Sequence, residues 1–275
     1  MTGALSQLAL FWSPALTGAA LALLLPLLGL YLRLRREHWA ALAYGQLGAA
    51  GALGALALGL PPLAGGLAAS FAVAGAKHRL EKRLPAAGLF PLLFILGWSA
   101  SLLLTANLPG VERLGAALFE GQLYFAGQEM LAGSAVALIA GGLFLRRAGP
   151  LLLLACLCPA HFQSSRLPAW PARAAFDLLA AAALALAVMS LGVMGAFALV
   201  FIPPWLAFAL AANWRTALVA APVLALCAHT LAFALALIHD QPFGPVLAAV
   251  LGLSALALPL AAAARPGSRR KTGQG

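Results

Sequence analysis

The sequence predicts an all-α bundle of about eight or nine helices that span a membrane. Hydrophobic residues make up 63% of the 275 positions, charged residues only 9%, and the mean hydropathy is +0.97. Such a chain has too little polar surface to coat a water-soluble particle of its size. The apolar residues form long runs without the two-residue alternation of barrel strands, so each run predicts a helix that crosses a hydrocarbon core about 30 Å thick.

Nine apolar runs, each bounded by charged residues or by Pro and Gly, are the candidates for these crossings. They cover residues 8–31, 39–60, 61–78, 86–106, 130–145, 175–193, 195–212, 216–238 and 243–264. A proline removes a helical hydrogen bond and kinks the axis. The Gly59-Leu60-Pro61-Pro62 turn between the second and third runs, and Pro203-Pro204 in the seventh, therefore leave open that one run is broken, which gives eight full crossings.

The net charge of +10 follows the same division of the chain. Sixteen of the seventeen Lys and Arg residues lie in the short segments 33–38, 77–83, 146–147, 166–173, 213–215 and 265–271. If all nine runs cross, these segments share one side of the membrane, and the positive-inside rule places that side in the cytoplasm. We therefore expect one membrane domain over residues 1–275 in a bacterial inner membrane, with the N-terminus outside, a basic tail at 265–275 inside, and no nucleic-acid partner.

Two connecting stretches have a character of their own. Residues 107–129 mix Glu112, Glu120 and Glu129 with apolar side chains, which predicts an amphipathic segment on the outer side. Residues 149–174 include Pro159, Pro168 and Pro171 and a polar group, and they predict a cytoplasmic excursion with a short helix. In a chain without a soluble domain, such an excursion is a natural docking site for a cytosolic partner.

The residue pattern argues against an enzyme. The sequence contains no Walker A motif, no nucleophile elbow, no HExxH motif and no paired-carboxylate arrangement. The three cysteines have neither paired spacing nor an even count, so they indicate no disulfide framework. We expect no permanently bound cofactor.

Three stretches carry a resemblance to a known family. Residues 240–245 are similar to its D-x-P-x-G-P turn, residues 199–207 to an aliphatic run ending in I-P-A-A-T-A, and residues 34–62 to an L-R-R, G and L-G-x-N-P pattern. On these residues the chain resembles the permeases of zinc, manganese and iron ABC importers, the metal-type family that includes ZnuB-like and MntB-like subunits. The turn is the most specific part of the likeness, and its structural residues are Asp240, Pro242, Gly244 and Pro245.

The resemblance implies a permease that works as a homodimer with its translocation path on the two-fold axis. ATP would be hydrolysed by a separate cytosolic ABC ATPase, and cargo would come from an extracytoplasmic binding protein. The excursion would contain the coupling helix that enters a cleft on the ATPase. Its candidate residues are Pro159, His161, Phe162, Gln163 and Arg166.

The sequence departs from the family where the metal path is expected. The family's G-D-x-L-x-H motif falls on residues 41–46, with Leu42 in place of the aspartate and Gln46 in place of the histidine. Transition metals prefer imidazole, thiolate or carboxylate to a neutral amide. Either another group handles the ion or the cargo is not a bare ion, and which metal it contains stays open.

Four residues are candidates for the path. Tyr44 and Gln46 would line it as hydrogen-bonding groups, whereas His229 inside the eighth run and Glu120 in the outer segment are ionisable groups of the kind that membranes retain for function. Each has an ordinary alternative: helix packing for the first two, an interhelical hydrogen bond for His229 and a solvated acid for Glu120.

Two other functions stay open from the sequence. An ion-coupled secondary carrier would work without a motor, but it usually needs buried acids or broken helices near the midplane. A membrane assembly partner of a metal or siderophore-iron system would form a complex without transporting anything itself. Transport in ATP-free vesicles separates the carrier from the ATP-driven importer.

Overall fold

The computed structural model describes residues 2–121, 123–158 and 170–263, and this part of the chain contains nine α-helices and no strand. The predicted all-helical fold is therefore confirmed. The helices are α1 (Thr2–Leu34), α2 (His38–Ala57), α3 (Pro62–Glu81), α4 (Ala86–Asn107), α5 (Glu112–Glu120), α6 (Gln128–Leu157), α7 (Trp170–Leu210), α8 (Trp214–Ile238) and α9 (Phe243–Ala263).

Six of these helices are long and apolar enough to cross a membrane: α1, α2, α4, α6, α7 and α8. Of these, α1, α2 and α7 are mostly buried, whereas α4, α6 and α8 expose most of their apolar surface. Exposed large apolar side chains on the outer helices are what a lipid-solvated bundle requires, because hydrocarbon and not water surrounds it. At the centre, α7 packs against α1, α2, α3, α5, α6, α8 and α9.

Helix α7 reverses direction at Gly192, the one residue inside it with non-helical backbone angles, φ 76° and ψ 169°. A straight helix of 41 residues would be about 60 Å long. Yet the ring of Tyr31 lies 6.1 Å from the ring of Phe176 near one end of α7 and 5.2 Å from the ring of Trp214 just beyond the other end. The two arms of α7 are therefore antiparallel, in agreement with the two apolar runs at 175–193 and 195–212.

Three glycines form the junction at this reversal. A Cβ on Gly192 would lie 2.6 Å from the Cα of Gly121, and a Cβ on Gly244 would lie 2.8 Å from the carbonyl oxygen of Leu191. Only glycine allows backbones from α7, from the segment after α5 and from the start of α9 to approach this closely. The break lies here and not at Pro203 and Pro204, which sit inside the second arm.

Close backbone contact also joins α2 to α3. A Cβ on Gly51 would lie 2.5 Å from the carbonyl oxygen of Gly65, and a Cβ on Gly48 would lie 2.6 Å from the hydroxyl of Ser70. Gly48, Gly51 and Gly54 recur at three-residue spacing in α2, and a Cβ on Gly54 would meet no described atom within 4 Å. Two of the three regularly spaced glycines thus serve helix packing.

Three helices extend beyond the apolar runs expected from the sequence. Helix α6 continues to Leu157 and α7 begins at Trp170. Both ends of the expected excursion at 149–174, residues 149–157 and 170–174, are therefore helical. Arg146 and Arg147 lie inside α6 and not in a loop. The basic segment at 77–83 is helical as far as Glu81. Arg79, Arg146, Arg147 and Arg173 are exposed, because long side chains reach polar surroundings from within a helix, whereas Lys77 is buried and paired.

Replacing Gly192 by Ala should lower the free energy of unfolding by about 1–3 kcal/mol, because the new Cβ is strained at positive φ and overlaps Gly121. The thermal midpoint of the purified protein in detergent measures the effect. The matched control is Gly54→Ala, which adds a methyl group in open space within a helix and should leave the midpoint unchanged or raise it. Equal midpoints for both variants would contradict the junction.

Candidate functional site

An open groove of about 450 Å³ lies where α1 ends and α2 begins. We call the end of the bundle that contains Arg33 and His38 the basic end, and the opposite end, which contains α5, the α5 end. The groove lies between α1, α2, the second arm of α7, and α9. Its wall is mainly aromatic and apolar, and it includes Trp39, Leu42, Phe201 and Trp205.

Two polar side chains reach this groove. The guanidinium of Arg33 lies 5.5 Å from the centroid of the Phe208 ring, and the imidazole of His38 lies 5.9 Å from the ring of Phe201. Both polar side chains are half-buried. Trp39 and Trp205 are 49% and 41% exposed, so the groove combines cationic and aromatic surface and stays open on one side.

A largely buried cluster of four charges adjoins the groove, because Arg35 and Glu37 stand in the chain between the lining residues Arg33 and His38. Lys77 Nζ is 3.0 Å from Asp177 Oδ2 and 2.9 Å from Glu37 Oε1, while Arg35 NH2 is 3.0 Å from Asp177 Oδ1 and from Glu37 Oε2. The Arg35 and Lys77 cations also lie over aromatic rings of Phe176 and Phe90. Two positive and two negative groups balance, so the charges compensate each other away from water.

This cluster ties three separate parts of the chain together. Arg35 and Glu37 belong to the turn between α1 and α2, Lys77 to α3 and Asp177 to the first arm of α7. The residue between the first two, Arg36, has φ 58°, a conformation that is unusual for a side chain other than Gly or Asn. Arg35 and Glu37, the neighbours of Arg36, are fixed by ion pairs. These pairs hold the turn with Arg36 at positive φ.

Sequence reasoning missed the buried cluster. The charge pattern places Lys77 with the basic segment 77–83, although only 6% of its side chain is exposed. Asp177 was not singled out at all. A signal was present, because a lone acid near the start of a 41-residue apolar helix needs a buried partner.

Tyr44 and Gln46 are both fully buried on α2. The Tyr44 ring meets the Phe90 ring at 6.4 Å, and its carbonyl oxygen accepts a hydrogen bond of 2.9 Å from Ser70. Gln46 faces α4, where Gly97 makes room for it, and no described group bonds either of its amide atoms. Neither residue lines the groove, so their role in a path stays a prediction.

His229 lies between α1, α8 and α9. Its Nε2 donates a hydrogen bond of 3.2 Å to the carbonyl oxygen of Ala15, and Gly18 leaves space for the ring. The rings of Phe233 and Phe243 lie 5.9 Å and 5.4 Å from the imidazole. The interhelical hydrogen bond is therefore present, and a role in transport stays a prediction.

Glu120 ends helix α5 and is exposed at the α5 end. Helix α5 is amphipathic, with Gly115 and Leu118 buried against the bundle. The same end holds the turn before α9, in which Asp240 has φ 50° and Gly244 makes the close approach described above. The structure does not gather Tyr44, Gln46, Glu120 and His229 into one site.

The five coupling candidates, Pro159, His161, Phe162, Gln163 and Arg166, lie outside the described residues. Within the described ranges, no three His, Cys, Asp or Glu side chains come together to hold a metal ion. The groove and the charge cluster are therefore the two features on which a function can be argued.

The chain matches one family model and resembles solved structures. The model of the ABC 3 transport family matches residues 7–261. PsaBC from Streptococcus pneumoniae, solved with a Fab, is similar with a TM-score of 0.79 at 13% identity, covering 90% of each chain. A metal-chelate type ABC transporter in an inward-facing conformation gives a TM-score of 0.71 at 18% identity, covering 89% of this chain and 82% of the other. No curated protein matches.

Replacing Lys77 by Met should destabilise the protein by about 3 kcal/mol, because the substitution leaves two buried carboxylates with one cation. The double variant Lys77→Met with Asp177→Leu should cost less than the sum of the two single substitutions, since Arg35 and Glu37 then still compensate each other. A double-mutant cycle by chemical unfolding in detergent measures the difference. Arg79→Met, exposed on the same helix, is the control, and strictly additive costs would contradict the cluster.

Proposed function

The chain belongs to the ABC 3 transport family, and on that premise we propose that it is the membrane permease subunit of an ATP-driven importer for zinc, manganese, iron or a metal-containing cargo. The family match over residues 7–261 is the observation that carries the proposal. A metal cargo is supported by the similar transporter of metal-chelate type. The permease itself is a transport subunit and not an enzyme.

Its partners follow from what a permease needs. A cytosolic ABC ATPase would supply the energy, because the sequence has no Walker A motif. A binding protein would deliver cargo at the α5 end, and the basic end would face the cytoplasm of a bacterial inner membrane. This orientation puts the N-terminus outside and the C-terminus inside.

A second copy of the chain would complete the transport path. Trp39 and Trp205 leave one side of the groove open and apolar, and a two-fold axis beside them would place two grooves face to face. The path of the homodimer would then run past Leu42 on α2 and past the second arm of α7. The dimer is a proposal that rests on this open, apolar side.

The charge cluster supplies a mechanical connection. The segment at 159–169 leads directly into α7, and Asp177 stands eight residues beyond its end. A push from the ATPase on this segment would move the first arm of α7. Because Asp177 is paired to Arg35 and to Lys77, the α1–α2 turn and α3 would move with it, and so would the wall of the groove.

Loss of the protein is expected to lower the cellular content of one metal severalfold under starvation for that metal. Elemental analysis of a deletion strain, starved for zinc, manganese and iron in turn, measures it, and the wild-type gene should restore the content. Unchanged contents of all three metals, together with no ATPase subunit in pull-downs of the purified protein, would contradict the importer. Uptake into ATP-free vesicles driven by an ion gradient would favour a secondary carrier.

Substituting Phe162 and Gln163 by Ala should weaken the association with the ATPase at least tenfold, because truncated aromatic anchors cost most at interfaces. Co-purification of the ATPase with the tagged permease measures this. Glu120→Gln, at the other end of the molecule, is the control and should bind the ATPase normally. Equal co-purification of both variants would remove the coupling role from this segment.

A further inference from the structure

The groove is far larger than the site of a bare metal ion. A dehydrated Zn²⁺ or Ca²⁺ is held by ligand atoms at roughly 2.0 to 2.6 Å, so its site is a tight cage. A volume of about 450 Å³ lies instead within the range of small-molecule sites, which is roughly 300 to 1,000 Å³. The size of the groove therefore fits an organic molecule.

The charge of the groove has the wrong sign for a free cation. Arg33 is permanently positive and reaches the groove, whereas the neighbouring acid Glu37 is paired to Arg35 and Lys77 in the adjoining cluster. A divalent ion entering the groove would meet a net positive field. An anion would be attracted to the guanidinium, which offers several donors in a planar fork.

The remaining wall suits flat, apolar ligand surfaces. Trp39, Phe201 and Trp205 contribute aromatic surface, and Leu42 supplies an aliphatic side. Aromatic side chains pack on other rings with a gain beyond simple burial. Cationic and aromatic groups side by side thus recognise an anion that carries aromatic rings.

Resting on the proposed permease function, we infer that the groove receives its metal as an anionic organic chelate with aromatic ligands, and not as a bare divalent cation. The carboxylate or phenolate oxygens of the chelate pair with Arg33 and accept a hydrogen bond from His38. Its rings lie against Trp39 and Trp205. The metal stays bound to the chelate throughout, so the protein needs no ligands of its own on this path.

Equilibrium dialysis of the purified full chain in phosphatidylcholine nanodiscs tests this inference without ATP or partners. The anionic complex of ⁵⁵Fe(III) with 2,3-dihydroxybenzoate is the first radiolabelled ligand and free ⁵⁴Mn²⁺ is the second. The iron complex should bind saturably, with Arg33→Gln weakening it at least tenfold and Arg33→Lys much less. Trp205→Ala should weaken it at least threefold, and Arg215→Gln, an exposed cation outside the groove lining, should have no effect.

Three results would overturn the inference. The first is saturable Mn²⁺ binding that survives Arg33→Gln while the iron complex does not bind. The second is iron-complex binding that Arg33→Gln and Trp205→Ala, shown to be folded by their thermal midpoints, leave unchanged. The third is complete loss of binding when phosphatidylglycerol is added to the nanodiscs, which would make the groove a site for anionic lipid. A failure here leaves the permease function to be judged by the metal content of the deletion strain.

Discussion

Van der Waals contact between closely approaching helices holds this bundle together. In lipid there is no hydrophobic drive to push apolar helices against one another, so association depends on how near the backbones can come. The buried core is rich in alanine, and glycines stand at the tightest crossings. A Cβ on Gly29 would overlap the carbonyl oxygen of Val200, and the same exclusion recurs between Gly51 and Gly65.

Small side chains at the crossings determine where polar groups can be tolerated. Several buried hydroxyls donate to the backbone carbonyl four residues earlier in their own helix, as Ser101 does to Gly97 and Ser190 to Leu186. These hydroxyls need no hydrogen-bond partner on a neighbouring helix. Ser70 and His229 instead bond to backbone carbonyls of a neighbouring helix, and the charge cluster joins side chains from three parts of the chain. Its four members are buried only because each carboxylate meets two cations, and this places a rigid, polar joint at the basic end of an otherwise apolar structure.

The presence of the long helices was predictable from the sequence, because apolar runs of Leu and Ala in lipid must satisfy their backbone hydrogen bonds as helices. The nine apolar runs correspond to eight long helices, one of which is folded into two arms, and the amphipathic α5 lies where acids alternate with apolar residues. Ion pairing across the fold was not predictable, since Lys77 and Asp177 are 100 residues apart and nothing local marks them as partners. The groove was equally hidden, because its residues come from four helices.

Two positions of α2 show how position along a helix can mislead. Leu42 and Gln46 are one turn apart, yet the first lines the groove and the second is enclosed against Gly97 of α4. A pattern in the sequence gives the face of a helix, but only the packing of its neighbours decides which part of that face is covered. Leu42 therefore bears on the groove directly, whereas Gln46 is a buried amide beside α4.

The reversal of α7 at a single residue has a consequence for how the protein is made. Membrane hairpins usually carry a polar connection that must be pushed through the hydrocarbon before the second helix can settle. Here the residues flanking Gly192 are Leu191 and Val193, and no charge lies between Asp177 and Arg215. Both arms can enter the membrane as one continuous apolar segment and fold back afterwards. No charged connection then has to cross the bilayer.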